Sequence, residues 1–204
     1  MSTENIGYQA LKGWYNKPTK KVTIKENKII VKVPEGTDCW RKTRQGILHR
    51  TINNAPFHWQ KVDGDFQCIV KVSGNFSADY DKAGIMVRLD DEHWIFTGME
   101  CSSDMIHHAT SVANDHTDWS ISPLPENSEK NGVYFCFKRM GNVYECFHSF
   151  DSLKWIQTRQ GLFTDQPVLY VGIAAACPAG TDLRVTFEEY QCNLTKKMIK
   201  LNTD

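Results

Sequence analysis

The chain has 204 residues, of which 41% are hydrophobic, 24% charged and 11% aromatic. This length suits one β sandwich and is short for two domains with separate cores, so we expect a single domain over residues 1–204. Lys plus Arg and Asp plus Glu both count 24, so the formal net charge is zero. A neutral chain gives no support to nucleic-acid binding or to attraction by an anionic membrane.

The first 21 residues mix polar side chains with Gly, Trp and Tyr and lack the apolar run of a secretory signal. No later stretch is long and apolar enough to predict a membrane span. The seven cysteines are odd in number and lie in apolar, strand-like runs, a pattern typical of reduced, buried thiols. We therefore expect a cytoplasmic protein.

Apolar residues recur with a period of two along the chain, which predicts half-buried strands. Residues 22–24 and 29–33 flank Glu26-Asn27 and predict a first hairpin. Residues 57–62 and 66–72 flank Asp63-Gly64, a pair that favours the positive φ of a hairpin turn, and predict a second.

Further strands are predicted at 83–89, 93–101, 106–113, 133–140, 143–150, 168–176 and 183–192. Roughly ten to thirteen strands result, and no segment holds a sustained apolar repeat of helical period. Residues 123–131, with two prolines, predict a surface loop. The fold class is therefore all-β, and we expect a two-sheet antiparallel jelly-roll sandwich with packed inner faces.

The predicted hairpin at 83–101 is detailed enough to assign a register. If Asp90-Asp91-Glu92 is a three-residue loop, Arg88 faces Trp94, Gly84 faces Gly98 and Lys82 faces Glu100. One face then carries core material, namely Ala83, Ile85, Val87, Leu89, Ile95 and Met99.

The other face of this hairpin carries Lys82, Arg88, Trp94 and Glu100 around the two glycines. Charge, an aromatic platform and bare backbone are typical of a ligand-facing surface. A solvated sheet with cross-strand ion pairs, or a structural cation–π stack, would give the same pattern. We expect Trp94 and Trp119 to be exposed, and a binding site requires Arg88, Trp94, Glu100 and Trp119 to converge on one concavity.

Several segments resemble successive motifs of a known family: 39–43 (CWRKT), 80–88 (YDKAGIMVR), 94–100 (WIFTGME), 118–120 (DWS) and parts of 155–178. The family is largely uncharacterised, has a concanavalin A-like lectin/glucanase jelly roll, and includes fungal regulators of enolase. The resemblance implies that fold over most of the chain. It also implies cytoplasmic control of glycolytic or galactose-linked metabolism, with enolase as partner and no known chemistry.

Glycoside hydrolysis would need two carboxylates flanking the scissile bond. Glu100 is the single acid of its strand, and Glu188 and Glu189 would point to opposite faces of an extended chain. A pair of Glu100 with Glu145 or Asp118 from separate strands stays open. On balance we expect no catalytic residues.

Metal and cofactor signals are weak. His107 and His108 would face opposite ways on a strand, and with His116 they match no metal-ligand spacing. No Gly-rich phosphate loop or local nucleophile signature is present. We therefore predict no metal and no cofactor.

Two functional hypotheses follow. The first is a non-catalytic regulator that contacts enolase. The second is a module that binds a carbohydrate or sugar phosphate by aromatic stacking and charged hydrogen bonds. The candidate ligand-binding residues are Trp40, Lys82, Arg88, Trp94, Glu100, Asp118, Trp119, Arg139, Trp155 and Arg159.

Overall fold

A computed structural model describes residues 7–18, 22–42, 51–194 and 198–203, so Thr43 of the motif 39–43 lies outside the described residues. Sixteen strands and one short α-helix lie in these ranges. In chain order they are β1 (Gly13–Tyr15), β2 (Val22–Lys25), β3 (Lys28–Lys32), β4 (Cys39–Trp40), β5 (Ile52–Asn53), β6 (Phe57–Asp63), β7 (Phe66–Gly74), β8 (Lys82–Arg88), β9 (His93–Ser102), β10 (Met105–Asn114), β11 (His116–Pro123), α1 (Ser128–Asn131), β12 (Val133–Met140), β13 (Val143–Ser149), β14 (Ile156–Leu162), β15 (Val168–Ala176) and β16 (Arg184–Leu194).

The strands build two large sheets. The front sheet has the order β1-β6-β15-β8-β9-β10-β11, and the back sheet has the order β14-β13-β12-β7-β16-β3-β2. Strands β4 and β5 pair separately, and every ladder is antiparallel. The all-β antiparallel sandwich predicted from the sequence is confirmed.

The main hydrophobic core fills the space between the two sheets. From the front sheet it takes Ala83, Ile85, Val87, Ile95 and Met99, the face predicted to point inward. The back sheet contributes apolar side chains that include Val70, Phe135, Phe137 and Phe187. All seven cysteines are buried and free, as expected.

Two predicted hairpins are confirmed. Strands β2 and β3 pair around Glu26-Asn27. Strands β8 and β9 pair in the predicted register, with Lys82 opposite Glu100, Gly84 opposite Gly98 and Arg88 opposite Trp94. The alternation of apolar and polar side chains was therefore sufficient to assign this hairpin.

The predicted hairpin around Asp63-Gly64 is wrong, although both of its strands exist. Strand β6 belongs to the front sheet and β7 to the back sheet. Val62 and Phe66 are both buried in the core, so the chain crosses the end of the sandwich between them. Gly64 has the expected positive φ of 78°, but its N–H donates to the carbonyl of Pro167 at 2.8 Å.

More strands are present than the roughly ten to thirteen expected. Strands β11 and β14 were not predicted; they lie at the ends of their sheets, and most of their side chains are exposed. The predicted loop at 123–131 contains α1. None of the helices in the described part of the chain is long and apolar enough to cross a membrane.

The outer face of the front sheet is covered by residues 34–42 and 51–56, which we call the flap. Cys39 and Ala55 of the flap join a second apolar cluster with Met86, Trp94 and Phe96. Trp94 is only 1% exposed, so the expectation that it would be exposed is wrong. Its strand alternation directs it away from the main core, but the flap packs over it.

Gly84 and Gly98 bring β8 and β9 very close together beside the Lys82–Glu100 pair. A Cβ on Gly84 would lie 2.2 Å from the carbonyl oxygen of Thr97 and 2.6 Å from Cα of Gly98. We expect Gly84→Ala to lower the free energy of unfolding by about 1–3 kcal/mol, because the backbone must shift. The measurement is urea denaturation.

The matched control is Gly7→Ala, whose added Cβ would lie 3.7 Å from the carbonyl oxygen of Tyr190, an ordinary contact. It should unfold at nearly the urea concentration of the unmodified chain. Equal midpoints for the two variants would contradict the close approach of β8 and β9.

Candidate functional site

A pocket of about 570 Å³ lies between the flap and the end of the front sheet where β8 begins. Its lining is mostly apolar and comes from segments distant in sequence. The lining residues on which its chemistry depends are Asp38, Trp40, Tyr80, Lys82, Asp118 and Trp119. Ile52 of the flap and Pro178 complete the apolar part. A cavity of this size is typical of small-molecule sites.

The polar part of the pocket is a buried charge cluster centred on Lys82, which is 2% exposed. Its Nζ lies 3.1 Å from Asp38 Oδ1 and 3.5 Å from Glu100 Oε2. Burial alone would lower the pKa of Lys82, but the two carboxylates outweigh it and raise the pKa above its ordinary value. Lys82 is therefore a cation at physiological pH.

Glu100 lies beneath the pocket and is fully buried. Burial raises the pKa of its carboxyl group, while Lys82 and a hydrogen bond from Trp119 act in the opposite direction. The register of β8 and β9 places Glu100 opposite Lys82 on the outward face, because their neighbours Ala83 and Met99 point into the main core.

The flap holds the second carboxylate of the cluster in place. Asp38 Oδ1 accepts the backbone N–H of Cys39 at 2.8 Å, and the backbone N–H of Asp38 donates to Asn54 Oδ1 at 2.7 Å. Beyond Trp40, the backbone N–H of Arg41 donates to Thr117 Oγ1 on β11 at 2.8 Å. These hydrogen bonds fix the position of Asp38 in the flap. Its ion pair with Lys82 then joins the flap to the front sheet.

Three aromatic rings stand edge to face around the pocket. The ring of Trp119 lies 6.4 Å from that of Trp40 at 74° and 6.4 Å from that of Tyr80 at 65°. Trp119 Nε1 donates to Glu100 Oε1 at 3.1 Å. Among the described residues, buried Trp40 Nε1 and Glu100 Oε2 have no hydrogen-bond partner. Trp40 lines the pocket and its Nε1 needs an acceptor, whereas Glu100 Oε2 lies beneath the pocket, 3.5 Å from Lys82 Nζ.

Asp118 lies at the rim of the pocket and is bound by Arg159. The Arg159 guanidinium donates to Asp118, to Ser120 Oγ at 2.9 Å and to Tyr144 Oη at 3.0 Å. Arg159 lies on β14 of the back sheet and Asp118 on β11 of the front sheet. This pair therefore links the edges of the two sheets beside the pocket.

Arg88 and Trp94 do not reach the pocket lining. Arg88 donates to Asn53 Oδ1 at 3.0 Å and to Asp91, and its guanidinium lies 3.9 Å from the ring centroid of Tyr15. These contacts connect β8 to β5 of the flap and to the edge strand β1 of the same sheet. Of the four residues expected to converge, Glu100 and Trp119 meet, whereas Arg88 and Trp94 lie among structural contacts.

Two further candidate residues lie away from the pocket. Arg139 donates to backbone carbonyl groups that include those of Gly141 at 2.7 Å and Gln166 at 2.6 Å. Trp155 is buried in a cluster with Phe147 and Cys136 of the back sheet. Both side chains therefore hold loops or strands in place.

The pocket also uses residues that the sequence interpretation missed, chiefly Asp38 and Tyr80. Asp38 directly precedes the motif at 39–43, and Tyr80 is the first residue of the motif at 80–88. Their positions in the recognised motifs were the signal that could have identified them. The two residues line the same pocket only because the flap packs over the front sheet.

The carboxylate pair of Glu100 with Glu145 is excluded. Glu145 lies on the back sheet and pairs with Lys138 at 3.1 Å. Its neighbour Tyr144 points into the main core, as Met99 does beside Glu100. The two carboxylates therefore lie on opposite outer faces of the sandwich.

The adjacent histidines point in opposite directions, as expected. His108 points inward, where its Nδ1 lies 3.0 Å from His148 Nδ1 and its Nε2 lies 2.7 Å from Thr97 Oγ1. Burial lowers the pKa of His108 to about 3, so it is neutral. In the described ranges no group of three or more His, Cys, Asp or Glu side chains is placed to hold a metal ion.

Removing the Lys82 charge leaves partly buried Asp38 and fully buried Glu100 without their cation. We expect Lys82→Met to lower the free energy of unfolding by about 3–5 kcal/mol, measured by denaturation at neutral pH. The double variant Lys82→Met/Glu100→Gln should recover part of the loss. Lys61→Met, at an exposed position of β6, is the matched control. If Lys82→Met and Lys61→Met unfold at the same denaturant concentration, the charge cluster does not stabilise the fold as described.

Comparison with known proteins gives a consistent family assignment. A family model described as "Protein of unknown function (DUF1349)" matches residues 14–195. The chain is 31% identical over 177 residues to "Regulation of enolase protein 1" of Saccharomyces cerevisiae, covering 87% of this chain and 86% of that protein. The resemblance inferred from the motifs is therefore confirmed.

Solved structures agree. A functionally unknown protein from Saccharomyces cerevisiae matches with a TM-score of 0.85 and 28% identity, over 93% of this chain and 98% of that one. A legume lectin-like domain from Entamoeba histolytica matches with a TM-score of 0.59 and 12% identity, over 85% and 87% of the two chains, which supports the lectin-like fold alone. This chain therefore belongs to the family described as "Protein of unknown function (DUF1349)".

Proposed function

We propose that the protein is a non-catalytic regulatory protein that binds a sugar-type ligand in the pocket beside the flap. The observation that carries the proposal is the set of aromatic rings beside a buried charge cluster, with Trp40 Nε1 left without an acceptor. Sugars combine apolar ring faces, which pack on aromatic side chains, with hydroxyl groups that donate and accept hydrogen bonds.

The charge of the pocket favours an unphosphorylated sugar over a sugar phosphate. Lys82 is the one cation in the cluster and faces two carboxylates, Asp38 and Glu100. The charge of Arg159 at the rim is offset by Asp118. A phosphate group would therefore meet an excess of negative charge in a site of low dielectric constant.

The same cluster argues against glycoside hydrolysis. Asp38 lines the pocket and Glu100 lies beneath it, and the ammonium group of Lys82 lies between the two carboxylates. Hydrolases keep that space for the scissile bond or for the attacking water. The arrangement supports binding rather than turnover.

Ligand binding can be measured by calorimetry with neutral hexoses and their disaccharides. We expect a dissociation constant between about 1 µM and 1 mM for at least one of them. Trp119→Ala should weaken binding at least about tenfold because it removes a stacking surface, and Trp119→Phe should weaken it less.

The control for this experiment is Trp14→Ala, since Trp14 stacks on His58 in the front sheet and does not line the pocket. Its affinity should match that of the unmodified chain, with thermal unfolding recorded for each variant. No binding by any neutral or charged sugar, or equal losses for Trp14→Ala and Trp119→Ala, would refute the assignment of the pocket.

We also propose that the regulated partner is enolase and that the protein acts in the cytoplasm. The supporting observation for enolase is the 31% identical relative that is named for its regulation. Seven buried, unpaired thiols fit a reducing compartment, which supports a cytoplasmic location. The geometry of the pocket does not depend on this second proposal.

Purified protein titrated into enolase should give a dissociation constant in the micromolar range or tighter, and enolase activity should change on saturation. The titration is repeated with an unrelated β-sandwich protein as control and with the pocket ligand present. Absence of heat together with unchanged enolase activity would count against enolase as the partner.

A further inference from the structure

We infer that the pocket selects a ligand that carries a positive charge on nitrogen together with hydroxyl groups, which is the chemistry of an amino sugar. The inference rests on the proposed function and goes further, because it assigns a charge to the ligand. It is drawn from the charge balance of the cluster, the arrangement of the aromatic rings and the unpartnered indole N–H of Trp40.

The charge cluster is incomplete without a further cation. Lys82 contacts Asp38 at 3.1 Å and Glu100 at 3.5 Å, so one positive charge is shared by two carboxylates. Glu100 is fully buried, and the side chain of Asp38 is 14% exposed and lines the pocket. A buried carboxylate with only a shared counterion leaves a negative field that attracts a second cation.

The aromatic rings form a partial cage around that field. All three rings line the pocket, and the planes of Trp40 and Trp119 are 74° apart and those of Tyr80 and Trp119 65° apart, so a ligand meets the rings at different inclinations. The electron-rich faces of such rings attract ammonium groups, most strongly where water is excluded. Lys82 Nζ already lies 5.9 Å from the ring centroid of Trp40.

The unpartnered indole N–H of Trp40 requires a hydroxyl group on the ligand. Trp40 lines the pocket, its Nε1 is a donor without an acceptor, and an ammonium group cannot accept its hydrogen. One molecule that carries both an ammonium group and hydroxyl oxygens satisfies this donor and the charge together.

The test is calorimetry with D-glucosamine at a pH where its amine is protonated, beside its uncharged N-acetyl derivative and D-glucose. We expect glucosamine to bind at least about tenfold more tightly than either neutral sugar. In Glu100→Gln and Asp38→Asn, each of which removes one negative charge, this ratio should fall toward one. Glu145→Gln on the back sheet is the matched control and should keep the ratio.

The outcomes separate the inference from the proposed function. Neutral sugars that bind as tightly as glucosamine, or more tightly, would overturn the inference and leave the sugar site standing. A preference for glucosamine that persists in both charge-removing variants would also overturn it. Absence of binding by all three sugars would refute the inference, whereas the proposed function falls only if the other neutral hexoses and disaccharides also fail to bind.

Discussion

The buried ammonium group of Lys82, held between a carboxylate of the sheet and a carboxylate of the flap, is the interaction on which the pocket depends. Glu100 belongs to β9, whereas Asp38 belongs to the flap. Each charge would be costly to bury alone, so all three must be brought together when the flap docks. The flap in turn covers Trp94 and turns one end of the front sheet into a cavity.

The arginines among the candidate residues stabilise the fold rather than the pocket lining. Arg88 donates its hydrogen bonds to neighbouring side chains, and Arg139 donates its hydrogen bonds to loop carbonyl groups. Both guanidinium groups therefore have structural partners. Arg159 joins the two sheet edges through Asp118. The pocket differs from these sites because the carboxylates of its charge cluster outnumber the cation and because Trp40 Nε1 has no acceptor.

Local patterns were enough to predict the fold class and the hairpin of β8 and β9, because a period of two fixes which side chains share a face. The same patterns could not predict the flap. The alternation correctly turned Trp94 away from the main core, but its burial depends on Cys39 and Ala55 from a distant part of the chain. Edge strands β11 and β14 were missed because mostly exposed strands lack an apolar stripe.

The hairpin predicted at Asp63-Gly64 was wrong for a related reason. A positive φ at Gly64 is compatible with a tight turn and also with a crossing between sheets. Val62 and Phe66, on the two neighbouring strands, are both buried in the core between the sheets. Turn chemistry therefore predicted where the chain bends and not which strands pair. A site that is assembled by such crossings and by the flap can be located only from the tertiary structure.

The central claim is that ligands bind in the pocket lined by Trp40 and Trp119, and the indole N–H signals of the six tryptophans in a ¹⁵N-labelled sample test it most directly. On titration with sugars, the Trp40 and Trp119 signals should move and saturate together, because Trp40 Nε1 gains an acceptor and Trp119 gains a contact. The signals of buried Trp94 and Trp155 should stay in place. Movement of Trp94 or Trp155 without Trp40, or no movement at all, would contradict the account.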